Sequence, residues 1–166
     1  MSTTRADQPA LRPMVLGIAV TVAAFVADQL SKAWVLFASG LPDGEVVRVA
    51  PFMDLTLVWN RGISYGLFQQ ESELGRWALV VFSVVAVVVL SVWMLRTGKR
   101  RVAVFLALIM GGALGNLVDR VAYGAVVDFV YLHAFGWSWY VFNLADAWIV
   151  AGVGGLLYDS LRSDDP

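Results

Sequence analysis

The amino-acid sequence predicts a mainly α-helical, polytopic membrane protein with four transmembrane helices and a small β element at one membrane surface. Three observations carry this prediction. Of 166 residues, 59% are hydrophobic and 15% charged, with a mean hydropathy of +0.71, whereas a soluble domain carries about 25% charged residues. Apolar runs close to span length recur along the chain. Basic residues gather at alternate ends of those runs. The length bounds the chain to one domain, a single membrane domain over 1–166.

A spanning helix needs roughly 20 mostly apolar residues. The first candidate is about 14–37, broken by Asp28 and Lys32; the second is 77–95 and the third 102–118, both free of charge. The fourth, about 143–161, has a short apolar heart and reaches span length only if Asp146 joins the helix or its rim. Arg5 and Arg12 before the first run could suggest a cleaved signal peptide. The run is too long for that and lacks a small-residue cleavage site, so it reads as a retained span.

Arg5, Arg12, the cluster Arg96, Lys99, Arg100 and Arg101, and Arg162 fall on one side of a four-span layout. That side is expected to be cytoplasmic, with both termini inside and segments of about 39–76 and 119–142 facing outward. In the first outward segment, EVVRVAPFMDLTLVW shows partial alternation around Pro51, which predicts a hairpin or small sheet with Leu55, Leu57 and Trp59 on one face. In the second, FVYLHAFGWSWYVF (129–142) is dense in Trp and Tyr and is expected to lie along the outer interface, with His133 as an interfacial side chain.

Composition removes several chemistries. A net charge of −1 argues against nucleic acid as a partner. There is no cysteine and one histidine, so neither a thiolate nucleophile nor a metal site of ordinary ligand count is expected, and no cofactor is implied.

Ionisable residues inside spans are costly and therefore candidates for function. Asp28 and Lys32, four apart, share a helix face, either as an ion pair that carries both charges into the membrane or as a pair that positions substrate. In GGALGNLVDR (111–120), Gly111 and Gly115 form a GxxxG pair for close helix packing. Asn116, Asp119 and Arg120 make one polar edge at the outer end of the third span. Asp128 sits in VVDF and Asp146 in FNLADA. Asn143 and Asp146 also fit a capping box, which is compatible with a further role for Asp146. Asn60, in WNRGISYGLF, is either a turn residue or a site residue. Two acids near one membrane face suggest paired carboxylates that share a proton. The ionised one acts as base on water, and the neutral one polarises the peptide carbonyl and later protonates the leaving amine. A proton-coupled transporter is the alternative, since membrane acids also serve relays, and a structural membrane subunit is a third reading.

Five blocks resemble the lipoprotein signal peptidase (signal peptidase II) family, in order and at matching spacing: DQLSK (28–32), NRGISYGLF (60–68), GGALGNLVDR (111–120), VVDF (126–129) and FNLADA (142–147). The resemblance covers nearly the whole chain. It implies four transmembrane helices with a periplasmic β-cradle and an interfacial amphipathic segment. It also implies a metal-free aspartyl protease of the bacterial inner membrane that cleaves diacylglyceryl-modified prolipoproteins before the lipid-bearing cysteine. Asp128 and Asp146 are then the catalytic pair. Asp28, Lys32, Asn60, Asn116, Arg120 and Asn143 support the site or contact substrate, and Asp119 is structural. The implied partners are the lipidated precursors, membrane lipid and globomycin-type inhibitors, and the implied state is a monomer. Tyr65, where Phe is common, and Ala147, where Ser is frequent, depart from the family pattern.

Overall fold

A computed structural model of the chain describes residues 8–62 and 73–163, with side chains from 13 to 162. Four helices, α1 (Gln8–Ala38), α2 (Glu73–Arg96), α3 (Arg100–Tyr123) and α4 (Leu144–Ser163), carry a small antiparallel sheet: β1 (Val47–Ala50), β2 (Met53–Asn60), β3 (Val126–Ala134) and β4 (Trp137–Ser138). All four helices are long and apolar enough to cross a membrane. On α2, Val81, Phe82, Val85, Val88 and Val89 are all exposed. A continuous apolar face of this kind has lipid as its natural solvent.

Helix α3 is the central element and packs against α1, α2 and α4. Small residues allow this. A Cβ on Gly111 would come within 2.7 Å of the Ala24 methyl group on α1, and one on Gly112 would run into the Ala145 carbonyl oxygen on α4. The expected GxxxG pair thus serves the α1 contact, while Gly112, one position on, serves α4. Met94, Ala103, Leu106, Ala107 and Met110 fill the bundle core, and α2 and α4 flank α3 with little mutual contact.

The sheet joins the bundle at the end of α3. Helix α3 continues past Val118 to Tyr123, so Asp119 and Arg120 lie on its last turns. It stops at Gly124, which adopts φ 76° and donates its N–H to the Arg120 carbonyl, a left-handed cap open to glycine. The chain then reverses into β3. Residues 129–142 take up strand and hairpin structure. They form most of β3, a turn at Phe135 and Gly136 (φ 52° and 81°), and β4. Trp137 and Trp139 stay exposed on this hairpin.

His133 is likewise more than an interfacial side chain. Its Nε2 lies 3.0 Å from Asp54 Oδ2, and Arg48 Nε lies 3.4 Å from Asp54 Oδ1, which links three strands. The expected hairpin around Pro51 is β1–β2. Leu55 and Leu57 pack on Val35, Leu41, Val127 and Phe129, but Trp59 does not join them. A bulge between Leu55 and Val58 shifts the pairing with β3, and such an extra residue re-aims the side chains beyond it. The Trp59 ring instead meets Tyr123 edge-on at 5.7 Å.

A Cβ at Gly115 would collide with the Asp28 carboxylate, whereas one at Gly154 would meet nothing within 4 Å. Gly115→Ala should therefore destabilise the protein by about 1–3 kcal/mol, the usual cost of overpacking. Gly154→Ala should be neutral or stabilising by up to about 1 kcal/mol. Thermal unfolding of the two purified variants in detergent measures the contrast.

Candidate active site

The site begins with a buried lysine. Asp28 and Lys32 lie one turn apart on α1, and their 2.8 Å ion pair is almost fully excluded from solvent. Lys32 Nζ also contacts Asp119 Oδ2 at 2.8 Å and donates to Asn116 Oδ1 at 3.0 Å, both on α3. An ammonium group has three donors and no acceptor, and here all three have partners. Gln29, which sequence reasoning did not single out, donates to the Gly115 carbonyl and to both Asp28 and Asp119.

These carboxylates in turn place the neighbouring elements. Asp119 Oδ2 accepts the Val127 N–H at 3.1 Å, which fixes the start of β3 against α3. Asp28 Oδ1 accepts the Ala145 N–H at 2.9 Å, in the first turn of α4. A helix start leaves its first N–H groups without intrahelical partners. Asn143 and Asp146 serve them with a reciprocal capping box: Asn143 Oδ1 accepts the Asp146 N–H at 3.0 Å, and Asp146 Oδ2 accepts the Asn143 N–H at 3.2 Å.

The strand brings in the second acid. Asn60 pairs with Val126, and Val58 with Asp128, so Asn60 and Asp128 are diagonal neighbours on one face of the sheet. Asn60 Nδ2 donates to Asp128 Oδ2 at 2.9 Å, while Asn60 Oδ1 accepts the Gly62 N–H. Backbone bonds between Phe142 and Val130 bring the returning chain alongside β3. There Asn143 Nδ2 donates to Asp128 Oδ1 at 2.6 Å and to Asn116 Oδ1 at 3.0 Å. Asn116 Nδ2 donates to Asp146 Oδ1 at 2.9 Å. Asp128 and Asp146, from a strand and a helix start, thus meet around one asparagine.

Their environments differ. Asp128 is 1% exposed. Burial first, and the nearby charge of Asp146 second, push its carboxyl up to about 7, against the hydrogen bonds of Asn60 and Asn143 and the charge of Lys32, which favour the ionised form. Asp146 lines a cavity of about 400 Å³ together with Asn60, Asn116 and Arg120 at the polar end and Leu79, Phe82, Ala86, Ile109 and Ile149 along the apolar length. Arg120 is held by its Nη1 bond to the Asn116 carbonyl. Among the described residues, no group of three or more His, Asp or Glu side chains is placed to hold a metal ion.

The structure therefore gathers Asp28, Lys32, Asn60, Asn116, Asp119, Arg120, Asp128, Asn143 and Asp146 at one end of the bundle. Gly111 lies deeper, against α1, and Gly115 makes room for Asp28. Of the block 60–68, residues 63–68, with Tyr65, lie outside the described residues. Asn60→Ala removes a donor that favours the charged form of Asp128. The Asp128 carboxyl should then titrate higher than in the parent protein, by about one pH unit. Infrared difference spectra of the protonated carboxyl band, assigned with Asp128→Asn, follow this directly.

The comparisons with known proteins agree with one another. The family model for signal peptidase (SPase) II matches residues 20–162. The lipoprotein signal peptidase of Methylobacterium sp. (strain 4-46) is 57% identical over 154 residues, with 93% of each chain covered. That of Methylorubrum extorquens (strain PA1) is 61% identical over 146 residues, covering 88% of this chain and 85% of its own. A bacterial membrane enzyme solved by the in meso method at 2.3 Å superposes with a TM-score of 0.80 at 25% identity, over 90% of this chain and 89% of its own. A second, solved at 1.9 Å, gives 0.78 at 25% identity, over 90% and 94%. With its four apolar helices, small sheet and matched sequence, this chain belongs to the signal peptidase II family of bacterial membrane proteases.

Proposed function

We propose that this protein is an aspartic endopeptidase that removes the signal peptide from diacylglyceryl-modified prolipoproteins, cleaving before the lipid-bearing cysteine, with Asp128 and Asp146 as its catalytic pair. One observation supports the reading above the rest. Asn143 donates to Asp128 through its side chain and to Asp146 through its backbone N–H, so one residue sets both carboxyl groups at the polar end of an apolar cavity.

The reaction needs one carboxylate and one carboxylic acid. The carboxylate takes a proton from water as the oxygen attacks the peptide carbonyl. The acid gives its proton to the carbonyl oxygen. When the tetrahedral intermediate collapses, the C–N bond breaks and the amine leaves with a proton. Burial and mutual repulsion keep one proton on such a pair near neutral pH. Asn60 and Asn143 orient Asp128, and Arg120 stands beside the cavity where a substrate carbonyl would lie. Asp28, Lys32 and Asp119 hold this arrangement together, and Gly111 and Gly115 let the helices that carry it approach. The apolar length of the cavity suits an apolar signal segment, and acyl chains in the bilayer would hold the scissile bond at the depth of the pair.

A proton relay is less well supported. Between the two ends of the bundle, the spans carry no titratable side chain: none from Pro13 to Ala27, from Val102 to Val118 or from Ala147 to Leu157. Acids that cluster at one end offer no stepping path. At the opposite end Asp159 pairs with Lys99 and Arg101. The basic link 96–101 supports an orientation with that end and both termini in the cytoplasm and the site near the outer face of the inner membrane. The same reading includes inhibition by globomycin-type cyclic peptides and action as a monomer.

Asp128→Asn and Asp146→Asn should each lower turnover by roughly 10³-fold or more, because an amide can neither take nor give the proton, while folding survives the near-isosteric change. Cleavage of a lipidated precursor by folded variants is the test, and near-parental rates in either would refute the pair. Lys99→Cys, in a chain without native cysteine, should be labelled by an impermeant thiol reagent only from the cytoplasmic side.

A further inference from the structure

The amide group of Asn116 has a fixed orientation, and Lys32 fixes it. Asn116 Oδ1 accepts from Lys32 Nζ at 3.0 Å and from Asn143 Nδ2 at 3.0 Å. A carbonyl oxygen offers two lone pairs, and an ammonium group can only donate. Turning the amide over would set two donors against an N–H₂ group. With Oδ1 held, Nδ2 points to Asp146 Oδ1, at 2.9 Å. The other Asp146 oxygen accepts the Asn143 N–H within the first turn of α4, where the helix dipole also favours negative charge. Asp128, on β3, takes its bonds from two side-chain amides, those of Asn60 and Asn143.

We propose that Lys32 is a positioning residue for the reaction: acting through Asn116, it aims an N–H donor at Asp146 and so assigns the two acids different roles, Asp146 as the base that takes the proton of water and Asp128 as the acid that gives its proton to the carbonyl oxygen. The proposal rests on the reading of Asp128 and Asp146 as the catalytic pair. It adds a division of labour within the pair and a purpose for a buried lysine that touches neither acid. Asp146 also lines the cavity, where water arrives with the substrate, while Asp128 is buried behind it. The charged groups that face Asp146 are Arg120 on α3 and Asp128 on β3, while Asp28 and Lys32 on α1 and Asp119 on α3 lie behind Asn116; from α2 and β2 come apolar side chains, Ser83 and Asn60.

The test is the pH dependence of kcat for cleavage of a lipidated precursor, with four proteins of this chain: the parent, Asn116→Leu, Lys32→Met and Lys32→Arg. Asn116→Leu keeps the Asp28–Lys32–Asp119 ion pairs, so it tests the relay even if Lys32→Met does not fold. Asn116→Leu should lower kcat about 100-fold with little change in KM and should move the acid limb of the profile upward by about one pH unit, because the base loses a donor that favours its charged form. Lys32→Met should move the same limb in the same direction, and Lys32→Arg should restore it in part. Folded Asn116→Leu protein with an unmoved acid limb would overturn the proposal, as would folded Lys32→Met protein whose limb stays in place. Failure of the pair itself reads differently: Asp146→Asn would then remain active.

Discussion

The ammonium group of Lys32 is the point on which the rest of the structure hangs. Two carboxylates and an amide oxygen surround it inside the bundle, and each of these acceptors has a second bond to a different element. Asp28 reaches the first turn of α4, Asp119 reaches the first residues of β3, and Asn116 reaches Asp146. Removing one member of such a buried ionic group typically costs about 3–5 kcal/mol, because the remaining charges lose their compensation. Here the loss would also release the two elements that carry Asp128 and Asp146. The charge inside the membrane is therefore a joint between helices as well as a local ion pair.

The capping box at α4 follows the same economy of parts. Asn143 ends the return from β4, starts the helix and bonds both acids. A site built from a helix start and an adjacent strand is held by backbone geometry as much as by side-chain packing, and such rigid supports keep reacting groups in place. The lone histidine, for its part, is used away from this chemistry, as the Asp54 partner that ties β2 to β3.

Much of this was legible in the sequence, for a definable reason. Spans without charge announce themselves, and a charge within a span needs a partner, so Asp28 with Lys32 could be paired by helical spacing alone. The capping box was visible because its two residues are three apart. What spacing does not carry is tertiary direction. Gln29 has no charge to mark it, yet it bonds both Asp28 and Asp119. Gly112 lies beside a recognisable GxxxG pair but faces another helix. The aromatic density of 129–142 carries no sign of strand pairing, yet backbone bonds with β2 and with Phe142 make it strand and hairpin. One bulge in β2 was enough to take Trp59 out of the face predicted for it.

Helices α2 and α4 both lean on α3 and scarcely touch each other, and Phe82, a wall of the cavity between them, is largely exposed. A cleft that opens sideways in a bilayer is approached within a plane. The quantity that governs encounter is then the number of precursor molecules per unit area of membrane, not their bulk concentration. Adding lipid or detergent to a fixed amount of substrate would dilute it at the cleft even when the volume of the sample is unchanged.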